Sequence, residues 1–154
     1  MKFLLENNEN KSAIAYIKGN SDYEELEGTV KFIQENDEVR IIIDLINLPQ
    51  SQFLGFHIHS KGNCSGNEKD EFKNVGKHYN PSRAQHPEHA GDLPSLYSSN
   101  GQIHQEIESD KFTVDEIIGK AIIVHSQRDD FKSQPAGDAG DKIACGEIDE
   151  YNNL

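Results

Sequence analysis

Short apolar runs alternate with polar clusters along most of the chain. Seven runs are rich in isoleucine and valine and are separated by Gly, Asn, Asp and Pro, which is typical of β-strands joined by turns. They cover residues 13–18, 28–33, 39–45, 54–59, 101–107, 120–125 and 142–148. No stretch has a helical period with caps at both ends, and residues 21–26 and 115–118 form a turn or so at most. The pattern predicts an all-β sandwich or barrel.

Two polar segments interrupt this rhythm, at residues 60–97 and 126–141. Long loops without secondary structure are uncommon unless they are functional or disordered. The first segment contains a cysteine, three histidines and several acidic residues, so we expect it to be functional. The 154 residues have no internal repeat and predict a single domain, 1–154, with a polar N-terminal arm at 1–12.

Charge limits the classes of partner. The formal net charge is −12 at pH 7, which argues against nucleic acid and anionic membrane surfaces, because these need clustered Lys and Arg. An anionic substrate would need a local positive patch to guide it.

The apolar run at residues 1–5 is too short for a signal peptide or a membrane span, so we expect an intracellular, cytoplasmic protein.

The sequence Gly-Phe-His-Ile-His at residues 55–59 is the clearest candidate for chemistry. Successive side chains of a strand point to opposite faces, so His57 and His59 share one face while Phe56 and Ile58 share the other. Two imidazoles on one strand can bind a single metal ion, and the apolar pair can anchor that strand in a core. The segment therefore predicts half of a transition-metal site.

Other histidines lie in dense motifs further along the chain. They are His78 before an Asn-Pro turn, the run His86-x-x-His89-x-x-Asp92, and His125 at the end of an apolar strand. Six histidines and one aspartate are too many for one tetrahedral ion and suit two ions that share a ligand; imidazole suits zinc and copper, and the carboxylate suits zinc. We expect the seventh histidine, His104, to be a surface residue, because it lies in an alternating strand.

These motifs resemble the copper/zinc superoxide dismutase family. The similar segments span about residues 13–148 and include 55–59, Gly-Lys-His-Tyr-Asn-Pro at 76–81, His-Ala-Gly-Asp-Leu at 89–93, Ile-Gly-Lys-Ala-Ile-Ile-Val-His at 118–125, Gly-Asp-Ala-Gly at 137–140 and Ala-Cys-Gly at 144–146. The resemblance implies a Greek-key β-sandwich or flattened eight-stranded barrel, immunoglobulin-like, with a long metal-binding loop and a shorter electrostatic loop. It also implies an antioxidant oxidoreductase that converts superoxide to O₂ and H₂O₂ by a one-electron Cu(II)/Cu(I) cycle.

The resemblance assigns roles to individual residues. One copper per chain would be bound by His57, His59, His78 and His125. One zinc per chain would be bound by His78, His86, His89 and Asp92, with the His78 imidazolate bridging the metals and exchanging a proton. Asp129 matches the aspartate that links a copper-ligand imidazole to a zinc-ligand imidazole. Cys64 and Cys145 match the family's disulfide, although composition alone favours free thiols in a reducing compartment.

The zinc-binding segment departs from the family. His86 and His89 are three residues apart, whereas the family usually has a longer subloop between the corresponding histidines. The geometry around His86 is therefore the hardest to predict, and Glu88 is an alternative ligand.

Lys142 stands where the family has its active-site arginine. Arginine offers a rigid planar fork to an anion and lysine a mobile point charge, so we expect Lys142 to attract superoxide but to hold it less well. The preceding loop, 131–138, is shorter than in the animal enzymes. Candidates for local replacement of their guiding charges are Lys77, Arg128 and Lys132.

The family's dimer interface is altered. Charged residues stand at apolar positions of the eukaryotic dimer: Lys61, Glu147, Asp149 and Glu150. Charges are depleted at interface cores, so either the interface is rebuilt or the protein is monomeric. Ile118 and the Gly62 region still fit, and a homodimer is our expectation.

The main alternative is a catalytically impaired superoxide-dismutase-like domain that binds zinc or copper. Such a domain would be expected to lack one or more copper histidines, and all four are present. The sequence contains no Cys-x-x-Cys module of a copper chaperone, no adjacent Asp-His pair of a binuclear zinc hydrolase and no Gly-Lys-Ser/Thr of a phosphate loop. It does not identify a copper-delivery partner.

Overall fold

The all-β architecture predicted from the sequence is confirmed. A computed structural model describes residues 11–49 and 51–152, which form nine strands in two antiparallel sheets. The strands are β1 (Ser12–Gly19), β2 (Glu27–Glu35), β3 (Glu38–Ile46), β4 (Gln52–Leu54), β5 (Phe56–His59), β6 (Leu96–Ser98), β7 (Gln102–Ser109), β8 (Ala121–His125) and β9 (Lys142–Glu150). The helical parts are α1 (Val114–Ile117) and 3-10 turns at Ser21–Tyr23 and Lys73–Val75.

The two sheets together form a curled barrel. Seven strands pair in the order β5-β8-β9-β1-β2-β3-β7, and β4 pairs with β6. β4 continues through Gly55 into the edge strand β5, and a hairpin turn joins β6 to the other edge strand, β7. The β6–β7 turn is Asn100-Gly101, and both residues have positive φ, which is typical of a type I′ hairpin turn. The β4–β6 ribbon therefore connects the two edges of the large sheet.

Two details differ from the eight strands expected. The predicted run 54–59 is divided at Gly55 into β4, which pairs with β6, and β5, which pairs with β8. At the division a Cβ atom on Gly55 would lie 2.8 Å from the Ala139 Cβ. β6 begins in the last two residues of the segment 60–97 predicted as a polar loop, and it ends at Ser98. Its three residues are too few to show a period of two in the sequence.

Alternating residues of the strands fill one core. In β2 and β3 the inward residues Val30, Phe32, Ile41 and Ile43 are fully buried, and burial of each such side chain stabilises the fold by about 1.5–3 kcal/mol. Phe56 and Ile58 of β5 are also fully buried in this core. The prediction that they anchor the histidine strand is therefore confirmed.

The chain start differs in detail from the predicted arm at residues 1–12, of which 1–10 lie outside the described residues. Ser12 belongs to β1, where it pairs with Ile33, and its hydroxyl donates to the Tyr151 carbonyl.

The one-turn helix expected near 115–118 is confirmed as α1, whose Thr113 and Glu116 form a capping box.

The predicted disulfide is confirmed. Cys64 in the long loop is bonded to Cys145 in β9, with Cα atoms 5.9 Å apart. The bond lies beside a small apolar cluster made by Phe72, Val75, Ala121 and Ile123. The beginning of the long loop is thereby fixed to the barrel.

Candidate metal centre

The open edge of β5 brings the long loop to the histidine strand. Loop segments 77–79 and 91–93 form backbone hydrogen bonds with β5 and Ser60, with N···O distances of 2.8–3.3 Å. Isolated β-bridges pair His59 with His78 and His57 with Asp92. Residues distant in sequence are therefore placed beside His57 and His59 by backbone pairing.

The neighbouring strand β8 brings His125 to the same place. β8 pairs with β5, and a register shift between Val124 and His125 interrupts its pairing with β9. The His125 ring centroid lies 4.8 Å from that of His57. Four imidazoles thus converge on one face of the β5–β8 pair.

These four residues form a first ligand group. His57, His59, His78 and His125 each offer one ring nitrogen, and these atoms lie within 4.8 Å of one another. Within residues 11–49 and 51–152, one buried nitrogen on each ring has no hydrogen-bond partner: His57 Nδ1, His59 Nε2, His78 Nε2 and His125 Nε2. Buried polar atoms are almost always paired, so a set of orphaned imidazole nitrogens fits a transition metal.

The opposite nitrogens of three of these rings are bonded to the scaffold. His59 Nδ1 donates to the Gly76 carbonyl over 2.7 Å, and His125 Nδ1 donates to the Gly140 carbonyl over 3.2 Å. His57 Nε2 lies 2.7 Å from Asp129 Oδ2. A proton on the outer nitrogen leaves the lone pair on the inner one, so these bonds select the tautomer that a metal requires.

A second group surrounds the Asp92 carboxylate. Asp92 Oδ1 lies 2.7 Å from His78 Nδ1, while Oδ2 lies 2.9 Å from His86 Nδ1 and 3.1 Å from His89 Nδ1. All four side chains are largely or fully buried. Three imidazoles and one carboxylate are a donor set typical of zinc.

Either His57 or His89 could be the fourth residue of the second group, beside His78, His86 and Asp92. A set of ligand atoms within 4.8 Å of one another contains His57, His78, His86 and Asp92 rather than His89. His57, however, has its Nε2 bonded to Asp129 and its Nδ1 among the orphaned atoms of the first group. His89 Nδ1 lies 3.1 Å from both His78 Nδ1 and Asp92 Oδ2, so His89 is the better fourth member. Glu88 is exposed and belongs to neither group.

His78 belongs to both groups. Its ring centroid is 4.1–6.4 Å from the centroids of the other five clustered rings. Its Nε2 is among the orphaned atoms, and its Nδ1 lies beside Asp92 and His89. One imidazole is thus positioned to contact two ions.

Asp129 connects the two groups through the ring nitrogens of His57 and His86 that point away from the ligand groups. Its Oδ2 contacts His57 Nε2 and its Oδ1 contacts His86 Nε2, both over 2.7 Å. Burial alone would raise the pKa of Asp129, but hydrogen bonds from His57, His86 and the Phe131 N–H hold it well below its usual value. The carboxylate is therefore ionised and orients two rings at once.

Gly137 makes room for this contact. A Cβ atom at this position would lie 1.9 Å from Asp129 Oδ1 and 2.6 Å from His86 Nε2, and its φ of +72° is in the left-handed region. Glycine is therefore required here on both counts. Gly137 belongs to the Gly-Asp-Ala-Gly motif at residues 137–140. The sequence does not show that it leaves space for the Asp129–His86 contact, because His86 lies in a different loop.

Burial favours the neutral form of three of the clustered imidazoles, those of His57, His59 and His125. Desolvation lowers the pKa of His57, lowers that of His59 well below its usual value, and lowers that of His125 to about 3. Metal ligands must be deprotonated. These three rings are therefore in the form that binds a metal at neutral pH.

A cleft of about 830 Å³ opens onto the site. It is lined by His59, His78, His89 and His125, by the cations Lys69, Lys77 and Lys142, and by the acids Asp22, Glu68, Asp70, Glu71 and Asp141. Lys142 Nζ is paired with Asp70 Oδ2 over 2.6 Å. Of the other candidate guiding cations, Lys77 lines the cleft, whereas Arg128 and Lys132 are not among its lining residues in the described chain.

His104 is predicted to lie on the surface, whereas the sequence does not single out Asp70 or Gln134. His104 is on the surface as expected, with a side chain 84% exposed that hydrogen-bonds Asp44. Sequence reasoning missed Asp70 and Gln134, which contact Lys142 and His86. No periodicity or motif marks Asp70 or Gln134, because each contacts a residue that is distant in sequence.

The fold and the site define a class of protein. A curled antiparallel β-barrel carries two adjoining groups of buried histidines, the second with an aspartate, and with His89 as its fourth member the second group shares only His78 with the first. Such an arrangement defines a metalloprotein with a binuclear centre of transition metals.

Comparison with known proteins identifies the family. Residues 26–148 match the sequence model of the copper/zinc superoxide dismutase family. Over 136 and 139 residues, the chain is 35% identical to Cu-Zn superoxide dismutases 1 and 2 of Aquifex aeolicus (strain VF5), covering 79% and 80% of both chains. It is 30% identical over 137 residues to the superoxide dismutase-like protein YojM of Bacillus subtilis (strain 168), covering 79% of this chain and 68% of the relative. The chain belongs to the copper/zinc superoxide dismutase family, an oxidoreductase family, and copper and zinc are its expected cofactors.

Proposed function

We propose that the protein dismutates superoxide to O₂ and H₂O₂ at a copper–zinc site bridged by His78. Copper would be held by His57, His59, His78 and His125, and zinc by His78, His86, His89 and Asp92. The observation that carries the proposal is the His78 ring, whose two nitrogens face different ligand groups. When bound, copper supplies the one-electron chemistry that dismutation needs, which zinc cannot supply.

The chain's own residues supply proton handling and orientation. The overall reaction consumes two protons for each pair of superoxide ions, and His78 Nε2 is the proposed donor of one of them. His78 lines the cleft, and its Nδ1 is held beside Asp92, which leaves Nε2 directed at the first ligand group, where it would carry the proton and donate it to the superoxide that is reduced to peroxide. Asp129 keeps His57 and His86 oriented during this exchange.

The activity is tested by metal loading. Protein loaded with copper and zinc is expected to dismutate superoxide and to be inhibited by cyanide, while the zinc-only form is expected to be inactive. Absence of activity after verified copper uptake would favour the alternative, a superoxide-dismutase-like metal-binding domain without catalysis.

Lys142 is the proposed attractor of superoxide, but its charge is largely compensated. It is the first residue of β9, pairs with His125 in the sheet, and lines the cleft. Its side chain is 21% exposed and its ammonium is bonded to Asp70. Electrostatic steering is a recognised property of superoxide dismutases. Asp70 is therefore expected to limit the contribution that Lys142 makes.

Paired substitutions test this electrostatic role. We expect Lys142→Ala to lower kcat/KM about threefold at low ionic strength and to flatten its salt dependence, while Asp70→Asn raises kcat/KM by a similar factor. Pulse radiolysis over a range of salt concentrations measures both effects. Lys132→Ala is the matched control, because Lys132 is not among the cleft-lining residues within the described chain. An unchanged rate for Lys142→Ala would remove Lys142 from the mechanism.

We also propose a homodimer formed around Ile118 and Gly62. These residues share one surface, since a Cβ atom at Gly62 would lie 2.5 Å from the Gly119 carbonyl oxygen, and Ile118 is half-buried. Light scattering is expected to give twice the chain mass of 17.3 kDa, and Ile118→Glu is expected to give the single-chain mass. A single-chain mass for the unmodified protein at high concentration would contradict the dimer.

The intracellular location stays a prediction from the sequence. In the part of the chain that the structure describes, no helix is long and apolar enough to cross a membrane.

A further inference from the structure

Both backbone polar groups of His86 are bonded to one side chain of another loop. The His86 N–H donates to Gln134 Oε1 over 2.9 Å, and Gln134 Nε2 donates to the His86 carbonyl over 2.7 Å. The His86 ring is held separately, through its Nε2, by Asp129. Backbone and ring of this residue are thus fixed from outside its own segment.

The turn that presents Gln134 is closed by its own hydrogen bonds. Asp130 accepts from the N–H groups of Lys132 and Ser133 over 2.9 and 2.8 Å. Gly137 donates to the Ser133 carbonyl over 2.7 Å, and Asp130 donates to the Gly137 carbonyl over 2.9 Å. Gln134 also donates to the Lys132 carbonyl over 3.0 Å. These bonds restrict the position of the Gln134 side chain relative to Asp129.

The segment around His86 supplies little support for that residue. Asn80 bonds both backbone groups of Ala84, and Glu88 donates to the Gln85 carbonyl. Among the described residues, no hydrogen bond internal to 80–91 uses the backbone of His86. The short spacing between His86 and His89 leaves no room for a subloop that could do so.

We propose that Gln134 is the positioning residue for the zinc ligand His86. Its amide provides the two backbone hydrogen bonds that the short segment does not provide, and it holds the His86 Nδ1 near Asp92. The proposal rests on the zinc assignment in the proposed function. It places the geometry of the zinc site partly under the control of the loop that borders the substrate cleft, because Pro135 and Ala136 line that cleft.

Zinc affinity is the direct test. Competition with a chelator is expected to show that Gln134→Ala weakens zinc binding about tenfold, within the range typical of residues that orient metal ligands. Gln134→Glu keeps the acceptor but loses the donor, so an intermediate loss is expected. Gln85→Ala is the matched control, since Gln85 is exposed and adjacent to His86, and it should leave zinc affinity unchanged.

Cobalt substitution separates positioning from a general effect on stability. With Co²⁺ in place of zinc, Gln134→Ala is expected to change the visible absorption bands that report ligand geometry, and Gln85→Ala is not. If Gln134→Ala does not fold, Gln134→Glu carries the test. Zinc affinity and cobalt spectra equal to those of the unmodified protein would overturn the proposal. Gln134-dependent zinc binding in a protein without dismutase activity would support it while contradicting the proposed activity.

Discussion

Replacing His78 with alanine is expected to abolish superoxide dismutation. The substitution removes the ring that belongs to both ligand groups, leaving three protein ligands on each side and no imidazole between them. It also removes Nε2, the proposed proton donor. Dismutase assays and metal titrations should show lost activity and weaker binding of both copper and zinc.

His104→Ala is the matched control for this substitution. His104 is also a histidine, but its side chain is 84% exposed on β7 and contacts Asp44 rather than the site. We expect its activity and metal affinities to equal those of the unmodified protein. Substantial dismutation by His78→Ala would contradict the assignment of His78 as bridge and proton donor.

Removing the disulfide is expected to cause the largest loss of stability. Cys64 and Cys145 are 81 residues apart in sequence. In the chain-entropy model, closing a loop of this length lowers the entropy of the unfolded chain and so increases the free energy of unfolding by about 4–5 kcal/mol. The double variant Cys64→Ser/Cys145→Ser leaves no free thiol that could form other disulfides. Denaturant unfolding of the metal-free protein should show a decrease of that size in the free energy of unfolding.

Reduction of the unmodified protein provides the control for this prediction. Reductant should decrease its free energy of unfolding by a similar amount and should have no effect on the double variant. A decrease below about 1 kcal/mol in the double variant would mean that the loop is held chiefly by the packing of Phe72 and Val75.

Much of the barrel could be predicted because its strands have a regular pattern. The predicted runs 28–33 and 39–45, rich in isoleucine and valine and bounded by turn residues, lie within β2 and β3. The break at Gly55 and the short strand β6 could not be predicted. Each depends on which strand lies alongside, and neither leaves a periodic signal in so few residues.

The candidate ligand residues could be selected from the sequence because metal chemistry restricts both residue type and spacing. His57 and His59 follow from strand geometry, and the pairing with His78, His125 and Asp92 follows from the family's motifs. Supporting contacts such as Asp70 with Lys142 join segments 72 residues apart in the chain. Such a contact depends on where a loop lies against the barrel, which local sequence does not determine.

The metal content of the reconstituted protein tests the central claim most directly. After loading with both metals and removal of excess, elemental analysis measured alongside dismutation is expected to give one copper and one zinc per chain, with activity proportional to bound copper. Binding of zinc without copper, or copper binding without any dismutation, would contradict the account of a shared copper–zinc site.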